Sequence, residues 1–173
     1  NLASEATPWN FDWGTRLINA FFSATSAVCV TGLSPYASIA AQLTLFGKIV
    51  MMILISLGGL GFISVFTFIV TAVGGHLGFI DRYIIKEALS LDSIHGIIRF
   101  VRKMLLITLT IEVFGALIYA IVFVPRFGWS EGILFSVFHS ISAFNNAGFD
   151  LLGSTSFVAY ANDPIININT MAL

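Results

Sequence analysis

Charged residues are scarce in this chain of 173 residues. They make up 10% of the sequence and hydrophobic residues 57%, whereas about 25% charged residues is usual for a soluble domain. The mean hydropathy is correspondingly high, at +0.94. The formal net charge of −1 provides no cluster of positive charge for phosphate groups, so nucleic acid is not expected as a partner. The composition predicts a membrane protein that contacts the lipid bilayer.

Cysteine and a secretory leader are also lacking. The single cysteine, Cys29, excludes a disulfide within the chain. The N-terminus shows no basic start followed by a short apolar run and a cleavage site. The sequence opens without methionine and closes as an apolar run begins, so we expect it to be an excerpt of a longer protein.

Two apolar segments are long enough to cross a bilayer, which takes about 20 helical residues. They cover residues 43–73 and residues 104–124, the second interrupted only by Glu112. Residues 74–103 between them hold five of the eight basic residues, and the positive-inside rule therefore places this connection in the cytoplasm. Apolar residues among polar ones at 84–94 predict an amphipathic helix along the inner surface, with a solvated loop helix as the alternative.

Two further apolar segments, residues 15–30 and 130–146, are too short to span. About 16 helical residues extend only about 24 Å. Trp13 and Trp129 precede these segments, as is typical of the interfacial aromatic belt. The second segment follows a helix that runs from inside to outside, so it must enter from the outer face and turn back. Both segments are therefore predicted to be re-entrant half-helices.

The two half-helices lie in an internal repeat. With an offset of 116 and no gap, residues 13–34 align with residues 129–150, and five of the 20 positions from the tryptophan to the glycine are identical. The identities include the tryptophan before each helix and Gly32 with Gly148 after it. The predicted order is half-helix, loop, spanning helix, cytoplasmic connection, spanning helix and half-helix again.

Bare backbone follows each half-helix, in "CVTGLS" and "NNAGFD". Such backbone at membrane depth is tolerated only where it is buried in protein or lines a water-filled path. The C-terminal end of a helix carries about half a negative charge and favours a cation. Backbone carbonyls can replace the hydration shell of an ion, and Gly32 and Gly148 permit the positive φ that aligns them. An isolated glycine here would more simply be a helix C-cap, but two in register favour a cation filter.

Three stretches carry a resemblance to a known family: "SATSAVCVTGLS", "SISAFNNAGFDLLG" and the glycine-rich "LISLGGLGFISV". They are similar to the membrane subunit of the bacterial Ktr/Trk potassium-uptake family, most closely its KtrB type, and the resemblance covers essentially the whole chain. It implies an all-α membrane protein with four units of helix, re-entrant pore loop and helix around a central pore. This chain would hold about two of the four.

The resemblance also implies the residues of a K⁺ selectivity filter. Asn145 is expected to satisfy local carbonyls at the helix end, and Cys29, where a threonine or another small polar residue is expected, to pack behind the filter. K⁺ would be the transported ion at the filter only, Na⁺ is considered as a regulator, and no organic cofactor is expected. The filter carbonyls would come from Val30, Thr31, Gly32, Asn146, Ala147 and Gly148.

The predicted organisation has four parts. Residues 13–73 form the first pore loop and its following helix, 74–103 the cytoplasmic connection, 104–150 the next helix and second pore loop, and 151–173 an extracellular loop and the start of another helix. The resemblance implies three partners: the remaining two repeats of the full-length chain, a second copy in a homodimer, and a cytoplasmic ring of nucleotide-binding regulatory subunits. It implies a multi-pass protein of the bacterial inner membrane, with both pore loops on the outer side.

Two other functions were weighed against potassium uptake. A non-conducting structural subunit would be distinguished from a transporter only by measurement. An intramembrane hydrolase could use His139 with Ser140 or Ser142, but adjacent helical residues do not face each other and no Gly-x-Ser-x-Gly elbow is present. We therefore expect no enzyme, and little effect of replacing His139.

Two features within the apolar segments need a structural account. Glu112 in mid-helix would cost about 2.5 to 3.5 kcal/mol if unpaired, so it is expected to be protonated or paired with a polar group on a helix outside this chain. Gly58, Gly59 and Gly61 are expected to be close-packing or kink positions, because no strand precedes them as a phosphate-binding loop would require.

Overall fold

The computed structural model describes residues 12–36, 38–61, 78, 83, 85–87 and 97–173, and each regular element in these ranges is helical. Most of the predicted amphipathic helix at 84–94 lies outside the described residues. The elements are α1 (Trp13–Val28), α2 (Ile39–Gln42), α3 (Leu45–Gly59), α4 (Ile97–Phe144), a 3₁₀ helix (Gly153–Tyr160) and α5 (Pro164–Ala172).

The chain divides into two compact units. One contains residues up to Gly59 and from Glu112 onward, and the other contains residues 60–111. All of the predicted filter residues belong to the first unit, in which α1 packs against α3. The second unit contains the N-terminal part of α4.

The long helix α4 is broken at Gly128, where φ is 81° and ψ is 173°. Pro125 lies just before the break and lacks an amide hydrogen for the helical ladder. We call residues 97–127 α4a and residues 129–144 α4b. α4b folds back against the end of α4a, and Gly132 permits this close approach because it has no Cβ. A Cβ there would lie 2.6 Å from the Cα of Val124. The break therefore separates the predicted spanning helix from the predicted second half-helix.

The helix bounds refine the predicted segments. Both half-helices begin and end one or two residues earlier than expected, α1 at Trp13–Val28 and α4b at residues 129–144. The region from Arg99 to the end of α4 is long and apolar enough to cross a membrane, whereas α3 over its described length is shorter than a span. The predicted continuation of α3 to residue 73 lies mostly outside the described residues.

The core of the first unit is rich in aromatic side chains from α4. Tyr119 and Phe123 are fully buried and stacked, with ring centroids 5.6 Å apart. The Tyr119 hydroxyl is 2.6 Å from that of Thr170, which joins α4a to α5. Apolar side chains are also exposed in large number, as expected for contact with lipid or further protein. On α4a the exposed apolar residues include Leu109, Val113, Phe114, Leu117 and Ile121.

The last helix, α5, begins at Pro164, within the residues expected to include the start of another helix. The carboxylate of Asp163 accepts hydrogen bonds from the amides of Ile165 and Ile166, and Pro164 occupies the first turn, where its missing amide hydrogen costs nothing. Arg126 on α4a pairs with Asp163 at 3.3 Å. The start of α5 is thus held beside the break in α4.

Candidate functional site

The two predicted pore loops leave their half-helices through equivalent backbone hydrogen bonds. In the first, the amide of Val30 donates to the carbonyl of Ala27 at 3.3 Å and that of Thr31 to Ser26 at 3.0 Å. This pair of bonds is a Schellman motif. The same bonds, offset by 116 residues, join Asn146 to Ala143 at 3.0 Å and Ala147 to Ser142 at 2.8 Å.

The left-handed residue that closes each half-helix is not glycine. Val30 and Asn146 both have a φ of 54°. Asparagine tolerates this conformation, but a β-branched residue there is an outlier. Gly32 and Gly148 lie two residues further along, so neither caps its helix.

The two loops meet at their glycines, which both have a φ of 72°. A Cβ on Gly32 would lie 2.8 Å from the carbonyl oxygen of Ala147 and 3.3 Å from the Cα of Gly148. A Cβ on Gly148 would lie 3.5 Å from the Cα of Gly32, an ordinary contact. Gly32 is therefore required by both conformation and space, and Gly148 by conformation alone.

The backbone carbonyls of the six predicted filter residues, 30–32 and 146–148, have no hydrogen-bond donor in the part of the chain that the structure describes. The last turn of α1 and the last turn of α4 also contain no basic residue. The negative ends of both half-helices are therefore not offset by a cationic side chain of the same helix.

Buried serines of the half-helices hold the two loops in different ways. In the first loop the hydroxyl of Ser26 pairs with that of Thr31 at 2.7 Å. In the second, Ser142 donates to the carbonyl of Phe149 at 2.6 Å and accepts from its amide at 3.1 Å. The equivalent serines thus bind a side chain in one loop and the backbone in the other.

A turn follows each loop at equivalent positions. The amide of Tyr36 donates to the hydroxyl of Ser34 at 3.0 Å, and the amide of Leu152 donates to a carboxylate oxygen of Asp150 at 2.9 Å. The other carboxylate oxygen of Asp150 accepts from Ser156 at 2.8 Å. The second turn is therefore tied to the 3₁₀ helix that follows it.

Asn145 ends α4b and is held by side-chain hydrogen bonds. Its Nδ2 donates to Glu112 Oε1 at 3.0 Å and to the carbonyl of Ile141 at 2.8 Å. The bond to Ile141 fulfils the role expected of Asn145, whereas the bond to Glu112 was not predicted. The hydrogen-bond partner found for Glu112 lies within this chain, not on a helix outside it as one alternative expected, and the other alternative, a protonated Glu112, stays a prediction.

Glycines of α3 lie against the ends of both half-helices. A Cβ at Gly58 would overlap the carbonyl oxygen of Val28, the last residue of α1, and a Cβ at Gly59 would overlap the side chain of Asn145. Gly61 follows α3 with a φ of 77°. The close-packing role is confirmed for Gly58 and Gly59, whereas the role expected of Gly61 stays a prediction.

Two cavities adjoin the loops. One of about 240 Å³ lies behind the second loop and is lined in part by His139, Asn146 and Asp150. Another of about 110 Å³ is lined by residues that follow both half-helices, including Gly32 and Gly148. The second cavity is therefore shared by the two loops.

Comparison with known proteins identifies the family. The sequence model of the cation transport protein family TrkH matches residues 6–173. The chain belongs to the TrkH cation transport family. It is accordingly an all-α membrane protein, as the composition and the resemblance predicted.

Three relatives of this TrkH-family chain are potassium uptake proteins by name. Ktr system potassium uptake protein B of Bacillus subtilis is 43% identical over 151 residues, which cover 87% of this chain and 34% of the relative. Potassium/sodium uptake protein NtpJ of Enterococcus hirae is 40% identical over 154 residues, 89% of this chain and 34% of the relative. Ktr system potassium uptake protein B of Vibrio alginolyticus is 36% identical over 160 residues, which cover 92% of this chain and 35% of the relative. The chain thus spans about one third of their length.

The hydrolase alternative has no support in the TrkH family or in the geometry. His139 is buried, and its Nε2 accepts a hydrogen bond from the amide of Leu151 at 3.2 Å while its Nδ1 donates to the carbonyl of Phe135 at 2.6 Å. In the described part of the chain, neither Ser140 nor Ser142 bonds to the imidazole, and the relatives are named as uptake proteins, not enzymes. His139 therefore holds the chain beyond the second loop, and the small effect of its replacement on ion uptake stays a prediction.

Cys29 and Asn145 occupy equivalent positions but have different surroundings. Cys29 is exposed, so the packing expected of it is not found among the described residues. The sequence also did not indicate the left-handed cap at Val30. The one available signal for Glu112 was its mid-helix position, which marks a charge in need of a partner but does not name the partner.

Proposed function

We propose that this chain supplies two of the pore loops of a channel-like transporter that takes up K⁺ across the inner membrane. Backbone carbonyls of residues 30–32 and 146–148 would form part of the selectivity filter. The observation that carries the proposal is the equivalent geometry of the two loops, with left-handed residues at the same two positions in each.

Free carbonyls support the assignment of the filter. None of the described residues donates a hydrogen bond to these six carbonyls, so they remain available to an ion. Rings of such carbonyls replace the hydration shell of K⁺ in selectivity filters. The left-handed φ of Gly32 and Gly148 allows successive carbonyls to turn toward one side of the strand.

Helix ends add an electrostatic contribution. The carbonyl ends of α1 and α4b point at the loops and carry about half a negative charge each. The last turns of both helices lack a basic residue, so this partial charge remains available to a cation. We assign to the half-helices the role of lowering the cost of dehydrating the ion.

The identity of the ion rests on the relatives. Their names specify potassium, and in one case potassium and sodium. We propose K⁺ as the transported ion. Na⁺ would be a competitor or a regulator, and measurement would distinguish these two roles. The chain spans about one third of these relatives, so uptake requires the remaining repeats of the full-length protein.

The proposed assembly extends the same comparison. Two relatives are named as parts of a Ktr system. We propose that residues 74–103 face the cytoplasm, where a nucleotide-binding ring would contact the protein, that the pore loops face outward, and that two copies form a dimer. The division of the chain into four parts, with boundaries after residues 73, 103 and 150, follows from this orientation.

Flux of Rb⁺ into liposomes that contain the full-length protein tests the proposed function. Uptake along a gradient is expected, with inhibition by external K⁺ at lower concentration than by Na⁺ and none by choline. Empty liposomes are the control. A folded protein that gives no flux above empty liposomes would favour the non-conducting structural subunit instead.

A further inference from the structure

The side chain of Asn145 is fixed at the point where the second half-helix ends. Both of its donated hydrogen bonds are used, one to Glu112 Oε1 at 3.0 Å and one to the carbonyl of Ile141 at 2.8 Å. On another side it lies against Gly59, where a Cβ would overlap it. The side chain cannot rotate without losing a bond or striking α3. The next residue, Asn146, begins the proposed filter strand.

Glu112 joins α4a to α4b twice. Its side chain accepts the bond from Asn145, and its backbone carbonyl accepts a hydrogen bond from the hydroxyl of Ser140 at 2.6 Å. The residue is 8% exposed, and none of the described residues forms an ion pair with it. An acidic residue on an apolar helix is costly, so its use as the acceptor for Asn145 gives a physical reason for its presence.

The first loop has no equivalent arrangement. Cys29 stands at the position of Asn145, and among the described residues no side-chain partner is recorded for it. The loops share their backbone geometry, but the bond from Asn145 to α4a has no counterpart at Cys29 among the described residues. Functional groups must be held within about 0.5 Å of their working geometry by supporting contacts.

We propose that Glu112 is a positioning residue for the second filter strand and acts through Asn145, without contacting the ion. The inference rests on the proposed function and deepens it. An acceptor at position 112 keeps Asn145 in place, and Asn145 sets the direction in which the chain enters Asn146. Loss of the acceptor leaves a partly buried amide donor without a partner and releases the strand.

The preference for Rb⁺ over Na⁺ is the readout that separates positioning from general stability. We would measure uptake of both ions by the full-length protein with Glu112→Gln, Glu112→Leu and Asn145→Ala, at equal amounts of folded protein in the membrane. Glu112→Gln retains an acceptor oxygen and is expected to keep the native preference within about twofold. Glu112→Leu leaves a donor of Asn145 without its acceptor and Asn145→Ala leaves the acceptor Glu112 without its donor, so each is expected to reduce the preference about tenfold.

A matched control and a double variant complete the test. Ser136→Ala removes a buried hydroxyl whose one hydrogen bond within the described residues is to Gly132 of its own helix, at 2.6 Å, and should leave the preference unchanged. The double variant Glu112→Leu with Asn145→Ala should lose no more preference than either single variant, because both remove the same bond. If Glu112→Leu does not fold, Asn145→Ala carries the test.

Each possible result has a distinct meaning. Equal loss of preference in Glu112→Gln and Glu112→Leu would show that the charge acts on the ion and would overturn positioning, as would additive losses in the double variant or an unchanged preference in Asn145→Ala. A native protein that takes up no Rb⁺ would contradict the proposed function itself. The two failures are therefore distinguishable.

Discussion

The two proposed pore loops have the same backbone geometry but different supports. Both close their half-helix with a left-handed residue and place a glycine two positions later. The first loop is held by a bond between two hydroxyls, those of Ser26 and Thr31, whereas the second is held by side chains that bond to its backbone, as Ser142 does at Phe149. The backbone path is thus shared, and the residues that fix it are specific to each loop.

This difference has a consequence for tolerance to substitution. Backbone groups of the second loop and the turn after it depend on Ser142, His139 and Asp150 for their partners. Loss of such a side chain leaves a buried amide or carbonyl without a hydrogen bond, which costs more than loss of a bond between two hydroxyls. Substitutions at equivalent positions should therefore be more damaging in the second repeat, except where α3 contacts the first.

The largest effect is expected at Gly58, which supports the first loop. Gly58→Ala would force a methyl group into the backbone of Val28, whereas Gly59→Ala meets the side chain of Asn145, which can give way in part. Overpacking typically costs about 1 to 3 kcal/mol, and Gly58→Ala should reach or exceed the upper value. Thermal unfolding of the full-length protein in detergent measures both.

Gly47→Ala is the control for these two variants, because a Cβ there meets only ordinary contacts at 3.5 Å with Leu43. It should leave the unfolding midpoint unchanged. Equal midpoints for Gly47→Ala and Gly58→Ala would contradict the close contact between α3 and the end of α1.

The next largest effect is expected for His139→Ala. It removes the acceptor for the amide of Leu151 and opens space between the rings of Phe123 and Phe157, whose centroids lie 5.2 and 5.1 Å from that of the imidazole. A cost of about 2 to 4 kcal/mol is expected from the cavity and the unsatisfied amide. The equivalent Ser23→Ala loses only a bond to its own helix and should cost less than about 1 kcal/mol.

Thermal midpoints of His139→Ala and Ser23→Ala, measured in one preparation, check this prediction. A His139→Ala protein as stable as the Ser23→Ala protein would mean that the imidazole does not hold Leu151, and that the second repeat is no more dependent on its side chains than the first.

A moderate difference is expected between the equivalent serines. Ser142→Ala leaves both backbone groups of Phe149 without their partner and should cost about 1 to 3 kcal/mol. Ser26→Ala breaks one bond between hydroxyls and should cost about 0.5 to 1.5 kcal/mol. Hydrogen exchange at the Phe149 amide reports the change directly, and unaltered protection there in Ser142→Ala would count against the assigned bond.

The smallest effect is expected at the left-handed caps. Val30→Gly removes a β-branched side chain from a φ of 54° and should stabilise the protein or leave it unchanged, because relief of about 1 kcal/mol or more of strain opposes the entropy cost of glycine. Asn146→Gly has less strain to relieve and should be neutral or slightly destabilising. A Val30→Gly variant with a lower midpoint than Asn146→Gly would argue that Val30 is not strained.

Much of the fold could be predicted from the sequence. The interfacial tryptophans and the repeat located both half-helices to within two residues, because short apolar segments with equivalent flanks have few other arrangements in a membrane. The positive φ of Gly32 and Gly148 followed from the bare backbone around them and is found in the structure. These features depend on local sequence, which a repeat makes easier to recognise.

Long-range contacts could not be predicted in the same way. The bond between Glu112 and Asn145 joins residues 33 positions apart, and hydropathy does not indicate which polar group meets a buried carboxyl. The bond from the amide of Leu151 to His139 joins residues on either side of the second loop, and neither the apolar helix nor the loop motif indicates it. Val30 was missed because left-handed backbone is rare for a β-branched residue.

The central claim is that the two loops form one filter, and the ratio of Rb⁺ to Na⁺ uptake by the full-length protein tests it most directly. Gly32→Ser, Gly148→Ser and the control Gly47→Ser should be compared in a bacterial host stripped of its own K⁺ systems. We predict a weaker Rb⁺ preference in both loop variants and an unchanged preference in the control. The loss should be larger in Gly32→Ser, because its Cβ would lie 2.8 Å from the carbonyl oxygen of Ala147. Folded Gly32→Ser and Gly148→Ser proteins that keep the native ratio would contradict the filter.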